Sequence, residues 1–515
     1  MRDTIFYASK DEKITPQEIA HADLARKLAG ECMVLLENDG VLPLKSRGEI
    51  ALYGNGVRKT IQGGTGSGSV NTRSITNIEK GFEEAGFTVT NKAWLDANDE
   101  HYKKMQEAYQ EWLEEEGKRR NVPPFLVSFD QPFSEPAPYT ISEEEVAGCK
   151  AKIAVYVISR NSGEGKDREY REGDYLFYPE ELDGIRNLIA GGKKLIVVLN
   201  IGGVMQLTEL KKIIGINAIV LMNQLGNLGG NALVDLISGA VTPSGKLADT
   251  WAVEYKDYPS SATFSHNNGN VDEEYYQEGI YVGYRYFDSF GVTPLYPFGY
   301  GLSYTSFDIK TVKVEQKSEF IAVSVKVRNT GDYYAGKEVV QIYLSKPQGQ
   351  MDMPYQELVA FKKTEELRPG EEECIDLEFP LELLAGYDTD SAAYLVEAGD
   401  YIVRVGTDSA STQAVAVLTV KSRTMLKQCE NMAFADEKLE EVKPVRKAVK
   451  EEALWAIQLD LSRITPKTVS YTREHVQLVN TVKDQITMRD VLDGKYTIKE
   501  MVAQLSIREM AELCV

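Results

Sequence analysis

The sequence predicts an α/β domain on a parallel sheet, then an all-β sandwich of fibronectin type III-like pattern, then a helical C-terminal tail. Three observations carry this. Apolar runs at 153–158, 194–200 and 216–222 are continuous, as strands buried on both faces are, and helix signals separate them. From about Phe307 the hydrophobic period falls to two. The last residues carry consecutive helix-capping signals.

Composition sets the frame. A chain of 515 residues exceeds one ordinary core and suggests about three domains. Hydrophobic residues at 43% and charged residues at 26% give a soluble globular composition. A net charge of −20 disfavours a nucleic-acid partner, and solubility alone accounts for it. Cys32, Cys149, Cys374, Cys429 and Cys514 have no pairing cadence, which suits reduced thiols. The N-terminus has no secretory pattern, and no apolar run approaches the ~20 residues of a membrane span. A cytoplasmic location, with no membrane partner, is the expectation. Neither the histidines nor the cysteines fall at ligand spacings, so no metal or organic cofactor is expected.

The α/β domain is expected over 1–306. Thr15-Pro16-Gln17-Glu18 opens a helix through a Thr cap, Pro at the first helical position and a capping-box Glu. That helix is predicted to continue through Leu36 to Asn38-Asp39-Gly40. Val41-Leu42-Pro43-Leu44 reads as extended, and Ile50–Gly54 as a first strand. The loop Gly63-Gly64-Thr65-Gly66-Ser67-Gly68-Ser69-Val70 lacks a Gly-Lys-Ser/Thr ending and GxGxxG spacing, which argues against a nucleotide site. It suits close approach to a polyhydroxyl ligand; a flexible surface turn is the alternative. A helix over 74–85 and a strand over 87–90 complete a β-α-β unit.

Residues 91–145 interrupt this rhythm as an insertion. Tyr102, Met105, Tyr109 and Leu113 make one helical face, expected to pack on the main body. The sheet resumes with Ile153–Ile158, a helix from Pro179, strands at 194–200 and 216–222, and a helix over 231–238. Residues 239–304 are irregular and rich in Tyr, Pro and Gly.

The sandwich is expected over 307–420. Val323, Val325 and Val327 alternate with polar residues, as do Ile375, Leu377 and Phe379, and Tyr401, Val403 and Val405. Residues 421–487 read as a charged linker. In the tail, 488–515, Thr497 with Glu500 and Ser506 with Glu509 are tandem capping boxes.

Chemistry concentrates at Ser162-Gly163-Glu164-Gly165-Lys166-Asp167-Arg168, after the strand at 153–158. Open α/β sheets bind ligands at the carboxyl ends of their strands. Flanking glycines let Glu164 stand out on a tight bend. A solvated acidic loop is the alternative.

Together these motifs resemble glycoside hydrolase family 3, in its β-glucosidase branch. The resemblance is carried by Glu37–Leu44, Gly64–Gly68, Val157–Arg168, Thr242–Leu247, Glu278–Tyr286 and Pro297–Tyr304. It implies an α/β sandwich domain partnered by a (β/α)8-type barrel, here in inverted order. The tail resembles the entrance to such a barrel, which needs roughly 250 residues. It implies a retaining exo-β-glycosidase acting on terminal non-reducing β-D-glucosyl residues of an oligosaccharide or an aryl or alkyl glycoside. Retaining enzymes set two carboxyl groups about 5 Å apart. The resemblance assigns the general acid/base to Glu164 and places the nucleophilic Asp on the barrel, supplied in cis or trans. It makes Ser67 a sugar contact; Asp167 and Arg168 orient the loop, touch the leaving group or pair with each other. A raised Glu164 pKa is expected once a barrel covers the loop. Glucose, xylose, arabinose and N-acetylglucosamine stay open as the sugar, and a homo-oligomer is possible. The competing reading is a non-catalytic carbohydrate-binding or protein-interaction module.

Overall fold

The computed structural model describes residues 12–164, 167–432, 439–444, 453–462, 464–469 and 485–514. The chain divides into two units, one over Gln17–Lys467 and one formed by Met1–Pro16 with Thr468–Val515.

The larger unit holds a six-stranded sheet: β1 (Val34–Asn38), β2 (Glu49–Tyr53), β3 (Thr88–Val89), β4 (Ile153–Arg160), β5 (Lys194–Ile201) and β6 (Ile216–Leu221). Their order is β1-β6-β5-β4-β2-β3, parallel except for β1. Helices α1 (Pro16–Cys32), α2 (Ile78–Glu84), α3 (Lys92–Arg120), α4 (Pro124–Asp130), α5 (Glu143–Gly148), α6 (Pro179–Ala190), α7 (Thr208–Lys211), α8 (Gly229–Ile237) and α9 (Tyr284–Phe290) accompany it. Seven of the eight residues in each of β4 and β5 are buried, as their unbroken apolar sequences demand.

The first helix is shorter than the sequence suggests. It stops at Cys32, and Val34–Asn38 is an antiparallel edge strand on β6. Met33, Val34, Leu35 and Leu36 are all buried. Four consecutive buried side chains need apolar cover on both sides, which a sheet provides and a one-faced surface helix does not. Asn38 then shapes the turn: its Oδ1 accepts from the backbone of Gly40 and Leu42, and its Nδ2 donates to the Leu42 carbonyl at 2.8 Å.

The insertion forms α3, α4 and α5. Trp94 Nε1 donates to the Thr140 carbonyl at 3.1 Å, tying the start of α3 to the returning chain. Of the predicted stripe, Tyr102 and Leu113 are buried, while Met105 is 43% exposed.

The sandwich follows with β7 (Phe307–Lys317), β8 (Phe320–Asn329), β9 (Val339–Ser345), β10 (Glu357–Lys363), β11 (Glu372–Pro380), β12 (Gly386–Asp388), β13 (Ala393–Val396), β14 (Gly399–Gly406), β15 (Gln413–Val420), β16 (Thr424–Gln428) and β17 (Trp455–Gln458). One sheet runs β10-β9-β14-β15-β17 and the facing one β11-β8-β7. Val323, Val325, Val327, Leu377, Phe379, Val403 and Val405 all point into the core between them. The stretch read as linker contributes β16 and β17: β17 pairs in parallel with β15, and Leu426 and Leu459 enter the sandwich core. Short apolar segments inside a charged stretch reveal their partners only in the folded chain.

In the smaller unit, α10 (Met488–Leu492), α11 (Ile498–Ala503) and α12 (Ile507–Glu512) each begin with a capping box. Two are those read from sequence; the third pairs Thr487 with Asp490. No helix among the described residues is long and apolar enough to cross a membrane.

Candidate active-site loop

Chain direction around the sheet sets two loops side by side. From β2 the chain moves outward to β3, whereas from β4 it moves the other way to β5. The order therefore reverses between neighbouring parallel strands β2 and β4, and their carboxyl ends border the crevice where such sheets bind ligands. The glycine-rich loop follows β2, and the Glu164 loop follows β4.

The two loops interlock through their glycines. A Cβ on Gly64 would lie 2.5 Å from the Ser162 carbonyl oxygen, and one on Gly163 would lie 2.3 Å from the Thr65 nitrogen. Thr65 Oγ1 donates to the Glu164 carbonyl at 2.6 Å, and Glu164 N donates to the Thr65 carbonyl at 3.3 Å. Asn200, fully buried near the end of β5, fixes the approach to the glycine loop. It accepts from Ile61 N at 2.7 Å and returns a bond to the Ile61 carbonyl at 3.0 Å.

The carboxylate of Glu164 folds back onto this loop. Ser67 N donates to Oε2 at 3.1 Å, and the Ser67 hydroxyl donates to Oε1. Gly66, at φ +74°, has no room for a side chain: its Cβ would sit 2.3 Å from Glu164 Oε2. Glu164 is exposed, and the Ser67 hydroxyl, then the Ser67 N–H, hold its pKa below the ordinary carboxylate value.

Gly165 and Lys166 lie outside the described residues. Asp167 is exposed. Arg168 is turned onto Asp174, pairing with its carboxylate through Nε and donating Nη2 to its carbonyl at 2.9 Å. Asp174 also accepts from Glu169 N at 2.7 Å, so it braces the descending limb of the loop. Arg168 Nη1 and Ser162 Oγ are both buried without a hydrogen-bond partner. Both face Gly203, lying 3.2 and 3.6 Å from where its Cβ would be. The structure thus brings Ser67 to Glu164 and Arg168 to Asp174.

Residues 33–284 match the glycosyl hydrolase family 3 C-terminal domain, and residues 338–409 match a fibronectin type III-like domain. This chain belongs to glycoside hydrolase family 3. β-Glucosidase A of Butyrivibrio fibrisolvens is 31% identical to the family 3 chain over 567 aligned positions, covering 98% of it and 65% of the relative. A β-glucosidase structure from Paenibacillus barengoltzii superposes with TM-score 0.71 at 31% identity, covering 94% of this chain and 53% of that one. β-Glucosidase 3B of Thermotoga neapolitana, solved with glucose, gives TM-score 0.69 at 36% identity, covering 80% and 55%. The chain therefore spans between 53% and 65% of the length of these relatives.

Beneath the loop, this family 3 domain holds a buried ionic cluster that sequence reading missed. Arg160, last in β4, pairs with Glu181 at 2.6 Å, and both side chains are about 95% buried. Its guanidinium also donates to the carbonyls of Ser159, Asp174 and Leu176. Glu181 closes the α6 capping box, accepting from Tyr178 N at 2.9 Å. Arg160 thereby ties the core to Asp174, the brace of the acidic loop. Glu135, from the insertion, sits beside this pair with Oε2 buried and unpartnered. Burial pushes its pKa up to about 7, against the opposing pull of Arg160. The available signals were an arginine ending an otherwise apolar strand and the capping-box glutamate; neither reveals its partner. Among the described residues no group of three His, Cys, Asp or Glu is placed to hold a metal.

Proposed function

We propose that this chain supplies the general acid/base of a retaining exo-acting β-glycosidase of β-glucosidase type, and that Glu164 is that group. The supporting observation is a carboxylate at the end of β4, beside the sheet's point of reversal, held by a glycine loop from the neighbouring strand. The β-glucosidase names of the relatives support the substrate class, terminal β-D-glucosyl residues.

In this reading the Glu164 carboxyl gives its proton to the glycosidic oxygen as the C1–O bond breaks and the leaving alcohol departs. A carboxylate about 5 Å away, from sequence outside these residues, takes C1. Glu164, now ionised, removes a proton from water, whose oxygen bonds to C1 and releases the second carboxylate. The first step needs a protonated Glu164, so covering the loop must overcome the Ser67 bonds that now favour the anion. Ser67 contacts the sugar once freed, and Asp167 and Arg168 orient the loop. The Arg168–Asp174 pair favours loop-holding over leaving-group contact for Arg168.

Assaying this chain on an alkyl β-glucoside, alone and with a family 3 barrel domain added, tests the proposal. Hydrolysis on addition of the barrel, lost in Glu164→Gln, supports it. Binding of sugar without hydrolysis under either condition assigns the chain to the non-catalytic alternative.

A further inference from the structure

The stripe on α3, expected to pack on the main body, is buried only at its ends, and Tyr102 meets Phe133 of the same insertion. Tyr102 is buried, edge-on to Phe133 at 5.8 Å, and Leu113 is buried. Between them Met105 and Trp112 are 43% and 36% exposed, and Tyr109 and Trp112 stack with centroids 5.9 Å apart. They line a groove of about 550 Å³, within the roughly 300–1,000 Å³ of small-ligand sites. The far wall belongs to the acidic loop: Glu169 and Arg171 line the groove and pair at 2.5 Å. Arg171 also donates to Ser134 Oγ at 3.1 Å, joining the loop to the insertion.

We propose that this groove binds a pyranose ring of a β-linked saccharide. Aromatic faces accept the C–H face of a pyranose, and charged or hydroxyl groups at the edge bond its hydroxyls. A protein partner would favour an apolar centre depleted of charge, whereas an ion pair forms one wall here. Glu169 and Arg171 follow Glu164 by five and seven residues in the chain. The choice of a β-linked saccharide rests on the proposed function; binding itself does not need Glu164.

The test uses this chain labelled with 5-fluorotryptophan and titrated with cellotriose. Trp112 should shift saturably at millimolar sugar while the Trp94 and Trp251 resonances stay in place, equally in Glu164→Gln. Trp112→Ala should weaken binding, read by saturation transfer to cellotriose, by about three- to tenfold. Its remaining fluorotryptophan resonances report that the fold is intact. An unmoved Trp112 resonance, or undiminished binding in Trp112→Ala, overturns the proposal. So does a Trp112 shift that follows protein concentration and ignores sugar, which assigns the groove to a second copy. Cellotriose binding with an inactive barrel-supplemented enzyme would retain the groove and remove the proposed role of Glu164.

Discussion

Ser67 donates both its hydroxyl and its backbone N–H to the carboxylate of Glu164, 97 residues later in the chain. Both bonds favour the ionised form and depress the Glu164 pKa. In Ser67→Ala one bond is lost, so the pKa should rise toward the ordinary carboxylate value. A side-chain carbon NMR titration of labelled Glu164 reads this directly. An unchanged titration would show that the hydroxyl contributes nothing.

Arg160 and Glu181 form a buried pair in which each group depends on the other. Removing one strands a buried charge, at a cost of about 3–5 kcal/mol. Arg160→Met and Glu181→Met should each destabilise by that order in denaturant unfolding. The double variant should lose less than the sum, because no uncompensated charge remains. Additive losses would mean the pair is not coupled.

Glu135 makes stability depend on pH. Its folded pKa of about 7 lies above its unfolded value, so between pH 4.5 and 7 the folded state binds the extra proton. Stability therefore falls as pH rises through this window, by on the order of 3 kcal/mol for this group. Glu135→Gln keeps the neutral shape and should flatten that fall, with its gain largest above pH 7. Parallel stability curves for the two proteins from pH 5 to 8 would contradict this origin.

Strands β4, β5 and β6 were legible in the sequence because parallel strands buried on both faces are written as unbroken apolar runs. The Ser67–Glu164 bonds were not, because a glycine loop does not encode which other loop it meets. That information lies in the strand order, which reverses between β2 and β4. Val34–Asn38 was misread for a related reason: an apolar run continuing a helix looks the same whether its next face meets solvent or β6. The Arg168–Asp174 pair shows a third limit. The sequence reading offered Asp167 as the partner of Arg168, and the turn that follows makes it Asp174 instead.

The central claim is that Glu164 carries the proton to the leaving group. The direct measurement is the leaving-group dependence of Glu164→Gln in the barrel-supplemented enzyme, compared with the unaltered chain. An aryl β-glucoside whose phenol is a strong acid needs no proton to depart; an alkyl β-glucoside does. The expected result is a glycosylation rate nearly retained on the first substrate and lowered by roughly 10²–10⁴-fold on the second, with the basic limb of the pH profile gone. Equal loss on both substrates, or no loss on the alkyl glucoside, would contradict the assignment.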